Sequence, residues 1–389
     1  MRVALNLEQL LQPAPGGIGR YTAELARLLP TLPAGDGDEV TLVPFVARHR
    51  REEIDARLRE FGLDGVDPIV MRLPRPLLYD AWHLLRRPRL VRSRRLPTVD
   101  VVHAPSVAVP PKETAPLVVT AHDAAPLLFP ETYPRRGRRF HVQGLAAAAK
   151  RADLVITVSH AAADELVTYA AMPRERIRVV PNGVDREIAD DETVDAVRRE
   201  YELGDTPYVF WVGSLEPRKN VGLLVDAFAH WASHTDLPHL LVLAGPAGWV
   251  EDETSVLAPA RRLGNRVRTI GRVGDPALSG LYRGADLFAF PSRHEGFGIP
   301  VLEAMAQETP VLAADIPALR EVASGAAVLR SPDDPEAWVA ALDNLLHDDA
   351  EQSRLSKAGR ERAESYSWAR CAIETRAVYR EAIEVSSRP

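Results

Sequence analysis

Two carboxylates with seven residues between them, Glu295 and Glu303, stand in the segment Pro291-Ser292-Arg293-His294-Glu295-Gly296-Phe297-Gly298-Ile299-Pro300-Val301-Leu302-Glu303. Carboxylates accept hydrogen bonds from paired hydroxyls, so one is suited to hold sugar hydroxyls and the other a ribose, while the amides of Phe297, Gly298 and Ile299 are placed to face phosphate. Pro300 suits the first turn of a helix, which puts Glu303 one turn further in. A surface helix glutamate is the plain alternative for Glu303, but Val301, Leu302, Ala304 and Met305 beside it are apolar. A second segment, Gly213-Ser214-Leu215-Glu216-Pro217-Arg218-Lys219-Asn220, sets two adjacent cations just before a helical pattern at 221–230. Like charge beside a helix N-terminus is unfavourable unless an anion is present. Arginine offers a planar bidentate donor and lysine a compact point charge, a combination that neutralises a departing diphosphate without a metal. The alternative is a solvated basic turn.

The first half offers weaker signals. Gly16-Gly17-Ile18-Gly19-Arg20 precedes the helical pattern 21–29; glycines there let backbone approach a phosphate or sugar oxygen at a helix N-terminus, although a tight turn alone would use them too. Thr120-Ala121-His122-Asp123 closes an apolar strand, at the edge where open α/β sheets place ligands. His122 there is either a crevice-facing site residue or a structural histidine, and Asp123 either fixes its tautomer or starts the next turn.

These segments need strands and helices to carry them. Short β-branched runs at 3–6, 40–45, 99–103, 117–121, 154–158 and 177–180 alternate with helix-patterned stretches, and the logic repeats at 208–212, 240–244, 267–270, 287–290, 311–314 and 327–329. The fold class is therefore α/β, with two Rossmann-like parallel-sheet domains. The polar stretch 185–205 marks the boundary, giving a first domain at 1–185 and a second at 206–365. Residues 353–384 read as two helices parted near Tyr366-Ser367-Trp368.

A chain of 389 residues exceeds one ordinary core. Its 48 basic and 54 acidic residues give a formal charge of −6, which argues against a general nucleic-acid binder. The single Cys371 excludes an internal disulfide and a cysteine-rich zinc site. No apolar run of about 18 residues and no secretion signal is present, so the expected location is cytoplasmic. One stretch sets Leu77, Leu78, Trp82, Leu84 and Leu85 among Arg75, Arg86, Arg87, Arg89, Arg92, Arg94 and Arg95, and a second basic cluster runs Arg135-Arg136-Gly137-Arg138-Arg139. Either is a solvated basic face or a peripheral contact with an anionic membrane at its inner face.

In combination, the glycine turn, the strand-end His-Asp, the Gly-Ser-Leu-Glu-Pro-Arg-Lys-Asn segment and the paired glutamates resemble the retaining GT-B glycosyltransferases of sequence family 4, across essentially the whole chain. The resemblance implies two domains facing a central cleft, a terminal helix at 366–389 crossing back to the first domain, and no cofactor beyond a nucleotide diphosphate sugar as donor substrate. It implies that Gly16 and Gly17 approach the diphosphate or transferred sugar and that His122 contacts that sugar. Gly213, Ser214, Phe297, Gly298 and Ile299 would bind donor, Arg218 and Lys219 would hold the leaving diphosphate, Glu295 would bond the transferred sugar, and Glu303 the ribose. Many members carry an arginine directly after the glycine at Gly213; here that residue is Ser214, which shifts the duty onto Arg218 and Lys219. No Asp-x-Asp cluster closes a strand, in keeping with a metal-free, front-face transfer.

The donor implied is a hexose on GDP, with mannose first and UDP or dTDP sugars as alternatives; the acceptor is a hydroxyl of a glycan or lipid-linked molecule. Three rivals use related parts. A glycoside hydrolase also needs two carboxylates but no paired cations, an epimerase on the same fold would convert donor without acceptor, and a nucleotide-sugar sensor would bind without turnover.

Overall fold

The computed structural model describes residues 1–33, 39–90, 96–246 and 263–387. Contacts divide the chain into one unit of Met1–Gly183 with Trp368–Pro389 and another of Val184–Ser367. Each is built on one parallel sheet, and both sheets are Rossmann-like.

The first unit carries β1 (Arg2–Asn6), β2 (Thr41–Val46), β3 (Ile69–Val70), β4 (Val101–Ala104), β5 (Leu117–Thr120), β6 (Leu154–Thr157) and β7 (Ile177–Val179). They lie in the order β3-β2-β1-β4-β5-β6-β7. Strands β4, β5 and β6 are buried at every residue, which is why they read as unbroken apolar runs. β3, only two residues long, gives no such run and was not expected from the sequence. The helix Gly16–Leu28 begins at the first glycine of its turn, earlier than the pattern at 21–29 suggests.

The helix Trp368–Ser387 packs on Gly16–Leu28 and on β4, β5 and β6. Trp368, Cys371, Ala372, Thr375, Tyr379 and Ala382 are buried at spacings of three and four, a stripe facing the sheet. Arg178 on β7 clamps it, its Nε donating to Glu381 Oε2 at 2.7 Å.

The second unit carries β8 (Tyr208–Val212), β9 (Leu240–Ala244), β10 (Val267–Gly271), β11 (Leu287–Phe290), β12 (Val311–Ala314) and β13 (Val328–Arg330), ordered β10-β9-β8-β11-β12-β13. It begins at Val184, ahead of the polar stretch read as a boundary. That stretch contains the helix Asp191–Glu200, capped by Asp190, whose Oδ1 accepts from the Thr193 amide at 2.9 Å. Only Val197 of this helix is buried, so its composition resembles a linker. It packs against the helix Asp275–Arg283, where a Cβ on Gly280 would lie 3.0 Å from Thr193 Cγ2.

Candidate active site

In the second sheet, strand order reverses between β8 and β11, which are hydrogen-bonded neighbours. Open α/β sheets bind ligands beyond the strand ends at such a switch point. The segment 213–220 leaves β8 and the segment 291–303 leaves β11, so topology brings together the two strongest motifs of the sequence.

The two loops are laced by one backbone hydrogen bond and by side chains of the first that donate to carbonyls of the second. The Arg293 amide donates to the Arg218 carbonyl at 2.9 Å, Arg218 Nη1 donates to the His294 carbonyl at 2.6 Å, and Asn220 Nδ2 donates to the Pro291 carbonyl at 3.2 Å. Asn220 holds a left-handed conformation, φ 54°, which asparagine tolerates better than most side chains.

Within this frame Lys219 Nζ donates to Glu295 Oε1 at 2.7 Å, and Arg218 Nη1 stands 3.4 Å from Glu295 Oε2. Arg218 Nη2 lies 3.5 Å from Glu216 Oε2, and Ser214 Oγ donates to the other oxygen of Glu216. Burial alone would push the Glu295 carboxyl up, but Lys219 and Arg218 outweigh it and hold the group down at about 2. Two cations and two carboxylates thus meet, and of the four only Glu216 was not singled out in the sequence. Lys219 also sits 5.2 Å over the Phe290 ring. Glu216 had no role in the sequence reading, although its spacing from Arg218 in a loop is short enough to have suggested one.

The glycine at Gly213 has a packing reason. A Cβ there would lie 3.1 Å from the Trp211 ring, and a Cβ on Gly245, at φ 135°, would lie 1.8 Å from the Gly213 carbonyl oxygen. The backbone after β8 is therefore pressed against the backbone after β9. Gly245 was missed; the Ala244-Gly245-Pro246 turn at the strand end was its one sequence signal.

Gly298 sits at φ 108° as N-cap of the helix Ile299–Ala306, and a Cβ on it would meet Leu319 Cδ2 at 2.4 Å. The Phe297 side chain is buried, edge-on to Tyr366 at 5.7 Å between ring centres. Its contribution to a ligand is consequently limited to its backbone. One turn into the helix, Glu303 Oε2 accepts from the buried Tyr282 hydroxyl at 3.0 Å. Tyr282, on another helix, carried no sequence signal.

In the first unit Gly16 and Gly17 are exposed at the helix start; Gly16 has φ 59° and open space around an added Cβ. His122 follows β5, its Nε2 donating to the Pro105 carbonyl at 3.0 Å and its ring edge-on to Tyr21 at 5.1 Å. A carbonyl only accepts, so Nε2 carries the proton and Nδ1 the lone pair. Burial lowers the His122 pKa. Behind it runs a buried chain: Tyr21 hydroxyl to Thr120 Oγ1 at 3.0 Å, Thr120 Oγ1 to His103 Nε2 at 2.9 Å, and His103 Nδ1 to Tyr379 hydroxyl at 2.7 Å. Among the described residues no three His, Cys, Asp or Glu side chains form a metal-binding group, and no helix is long and apolar enough to cross a membrane.

Comparison with known proteins agrees with this architecture. Residues 15–188 match the family described as Glycosyltransferase Family 4 and residues 194–362 match Glycosyl transferases group 1. The chain is 28% identical over 386 residues to O-antigen chain mannosyltransferase B of Escherichia coli, covering 98% of this chain and 100% of that protein. It is 29% identical to an MMP alpha-(1->4)-mannosyltransferase of Mycolicibacterium hassiacum, covering 98% of each. The fold matches that of Anabaena HepE with a TM-score of 0.73 at 19% identity, over 96% of this chain and 98% of that one.

Two parallel Rossmann-like sheets with these loops at the strand ends make the GT-B fold. The chain belongs to the group 1 glycosyltransferases of family 4, and is a hexosyltransferase.

Proposed function

We propose that this enzyme transfers mannose from GDP-mannose to a hydroxyl of a glycan or lipid-linked acceptor, with retention of anomeric configuration and without a metal ion. The observation that carries the reading is the convergence of Arg218, Lys219 and Glu295 beyond β8 and β11, with Glu303 one turn into the following helix. The mannosyl assignment is supported by relatives named mannosyltransferases that align over nearly the whole chain.

In this reading Arg218 and Lys219 face the diphosphate, Glu295 the transferred sugar and Glu303 the ribose. The amides of Phe297, Gly298 and Ile299 lie at a helix start, where phosphate is favoured. Ser214 acts indirectly, holding Glu216 against Arg218. Gly16, Gly17 and His122 are assigned to phosphate and sugar contacts made by the first unit. The glycosidic C1–O bond to phosphate breaks as the acceptor oxygen bonds C1 on the same face, and the acceptor proton passes to the departing phosphate oxygen. The anomeric carbon keeps its α configuration.

Thermal stabilisation by GDP, UDP and dTDP, followed by transfer assays with the matching sugars, tests the reading. A ligand at 100 times its dissociation constant adds about 2.7 kcal/mol. GDP is expected to stabilise most, and GDP-mannose to yield an α-mannoside by NMR. Stabilisation by UDP or dTDP alone would reassign the donor, and a β product the stereochemistry. Donor isomerised without acceptor would identify an epimerase, sugar freed from a simple glycoside without nucleotide a hydrolase, and donor bound without turnover a sensor.

A further inference from the structure

The first unit carries a basic and apolar face that the proposed chemistry does not use. The helix Arg75–Asp80 runs directly into a wider turn, Ala81–Leu85. One side of it is fixed. Leu78 and Trp82 are buried, Trp82 meets Phe45 edge-on at 6.3 Å, and Arg151 donates to the carbonyls of Trp82 and His83 at 2.9 and 3.0 Å. The other side is bare: Leu77, Leu84 and Leu85 are 57%, 54% and 71% exposed. Of the eight large hydrophobic residues exposed among the described residues, these three and Val70 fall within residues 70–85. Scattered exposed apolar side chains are ordinary, but a group held out on a tethered helix marks an interaction surface.

The helix Arg135–Arg151 starts beside it. Phe140 stacks on Tyr79 at 5.3 Å and on His83 at 5.2 Å, and Arg136 Nη2 lies 3.9 Å from Asp80 Oδ2. The second basic cluster, with Arg135, Arg136, Arg138 and Arg139 all exposed, therefore borders the leucine helix, while Arg86, Arg87 and Arg89 extend from its end. Residues 76–90 and 131–143 hold seven arginines against two acidic residues, in a chain of net charge −6. Arg92, Arg94 and Arg95 lie outside the described residues.

We propose that this face docks on an anionic phospholipid bilayer, with Leu77, Leu84 and Leu85 entering the interface and the flanking arginines meeting headgroup phosphates. Charge complementarity selects the occupant. A net-negative protein is repelled by an anionic surface in most orientations, so a local basic face fixes which side approaches. Arginine stems lie along apolar surface while their heads reach phosphate, which suits a boundary where hydrocarbon and charge meet within a few ångströms.

Co-sedimentation with vesicles tests this directly. The protein is expected to pellet with phosphatidylcholine vesicles containing phosphatidylglycerol, to stay in solution with phosphatidylcholine alone, and to be released by salt. Arg138→Ser with Arg139→Ser should lower the partition about 25-fold, each cation contributing about fivefold. Leu77→Ser, Leu84→Ser and Leu85→Ser together should abolish pelleting at moderate salt while leaving the melting temperature unchanged, because these side chains are outside the core. A wild-type protein that ignores anionic vesicles at low salt overturns the proposal. So does unaltered binding by both variants, or a leucine variant that changes only self-association in lipid-free sedimentation.

Discussion

Lys219 Nζ lies 2.7 Å from Glu295 Oε1, although 76 positions separate the two residues and each stands on its own loop. Glu295 is thereby held ionised and oriented by the cations expected to receive the leaving diphosphate. Replacing it by glutamine keeps its shape and removes its charge. Glu295→Gln is expected to lower turnover strongly while nucleotide diphosphate still binds, since Lys219 and Arg218 would lose a competitor for phosphate. Breaking a buried ion pair costs about 3–5 kcal/mol, and Glu216 remains to offset part of that. Calorimetric binding of the nucleotide beside steady-state rates separates these effects.

Tyr282 hydroxyl and Glu303 form the neighbouring contact, at 3.0 Å. A hydrogen bond to a charged group contributes about 1.5–3 kcal/mol. Tyr282→Phe should therefore weaken nucleotide affinity by about tenfold or more and leave kcat nearly unchanged, and Glu303→Ala should weaken it further. If Glu303→Ala and Glu295→Gln both act on nucleotide affinity alone, the two carboxylates have been assigned the wrong roles.

The glycines separate packing from binding. Gly245→Ala would drive a Cβ to 1.8 Å from backbone, at a φ that side chains rarely adopt, and should unfold the loop after β9 or destabilise the unit severely. Gly16→Ala meets open space and should cost only about 1–2 kcal/mol of left-handed strain. A Gly16→Ala protein with a near-normal melting temperature but impaired transfer would place that backbone at the ligand; full activity would leave the glycine as turn chemistry.

Much of this was legible because strands buried on both faces are continuous apolar runs, and strand ends in such sheets are where ligands bind. Glu295, Lys219 and Arg218 could thus be picked out from their places after β11 and β8. What the sequence hid depends on contacts between separate segments: the partnership of Tyr282 with Glu303 and the pressing of Gly245 on Gly213. The helix Asp191–Glu200 was hidden for another reason, since with one buried residue its pattern is that of solvated chain. Likewise the sequence could not divide Leu78 and Trp82, which are core, from Leu77, Leu84 and Leu85, which are surface.

Two buried histidines give the first unit a pH signature. Burial pushes His103 down to about 3, with His122 adding to the shift, and burial pushes His83 down to about 4, with Arg151 adding. Unfolded histidine titrates near about 6.5. As pH falls below that value the unfolded chain takes up protons while the folded rings stay neutral. The stability they confer is therefore present above about 6.5 and is lost as pH falls toward the folded values. Each ring contributes a slope approaching about 1.4 kcal/mol per pH unit in that window. Chemical denaturation between pH 5 and 6.5, above most carboxylate titration, should show this slope, and His103→Gln should flatten it. An unchanged slope in that variant would mean His103 is protonated in the fold.

Arg218 and Lys219 carry the prediction on which the mechanism rests. Either replacement by alanine should reduce the catalytic rate more than it weakens donor binding. The ground-state diphosphate is already negative, so some loss of affinity is expected. As the glycosidic bond breaks, further charge collects on the phosphate oxygen, and a cation held in place stabilises it without reorganisation. Removing one such donor typically costs about 100-fold to 1000-fold in rate, or about 2.7–4 kcal/mol. Both cations are fixed by Glu295, and Arg218 also by Glu216 and the His294 carbonyl, so neither has to search for its position. Ser214 carries no charge and serves Glu216, leaving the two residues to share the duty. The double variant should be nearly inactive, and magnesium should not rescue it, because no acidic cluster among the described residues is placed to hold the ion. Substantial activity in the double variant, or a wild-type enzyme silenced by a chelator, would overturn the metal-free transfer.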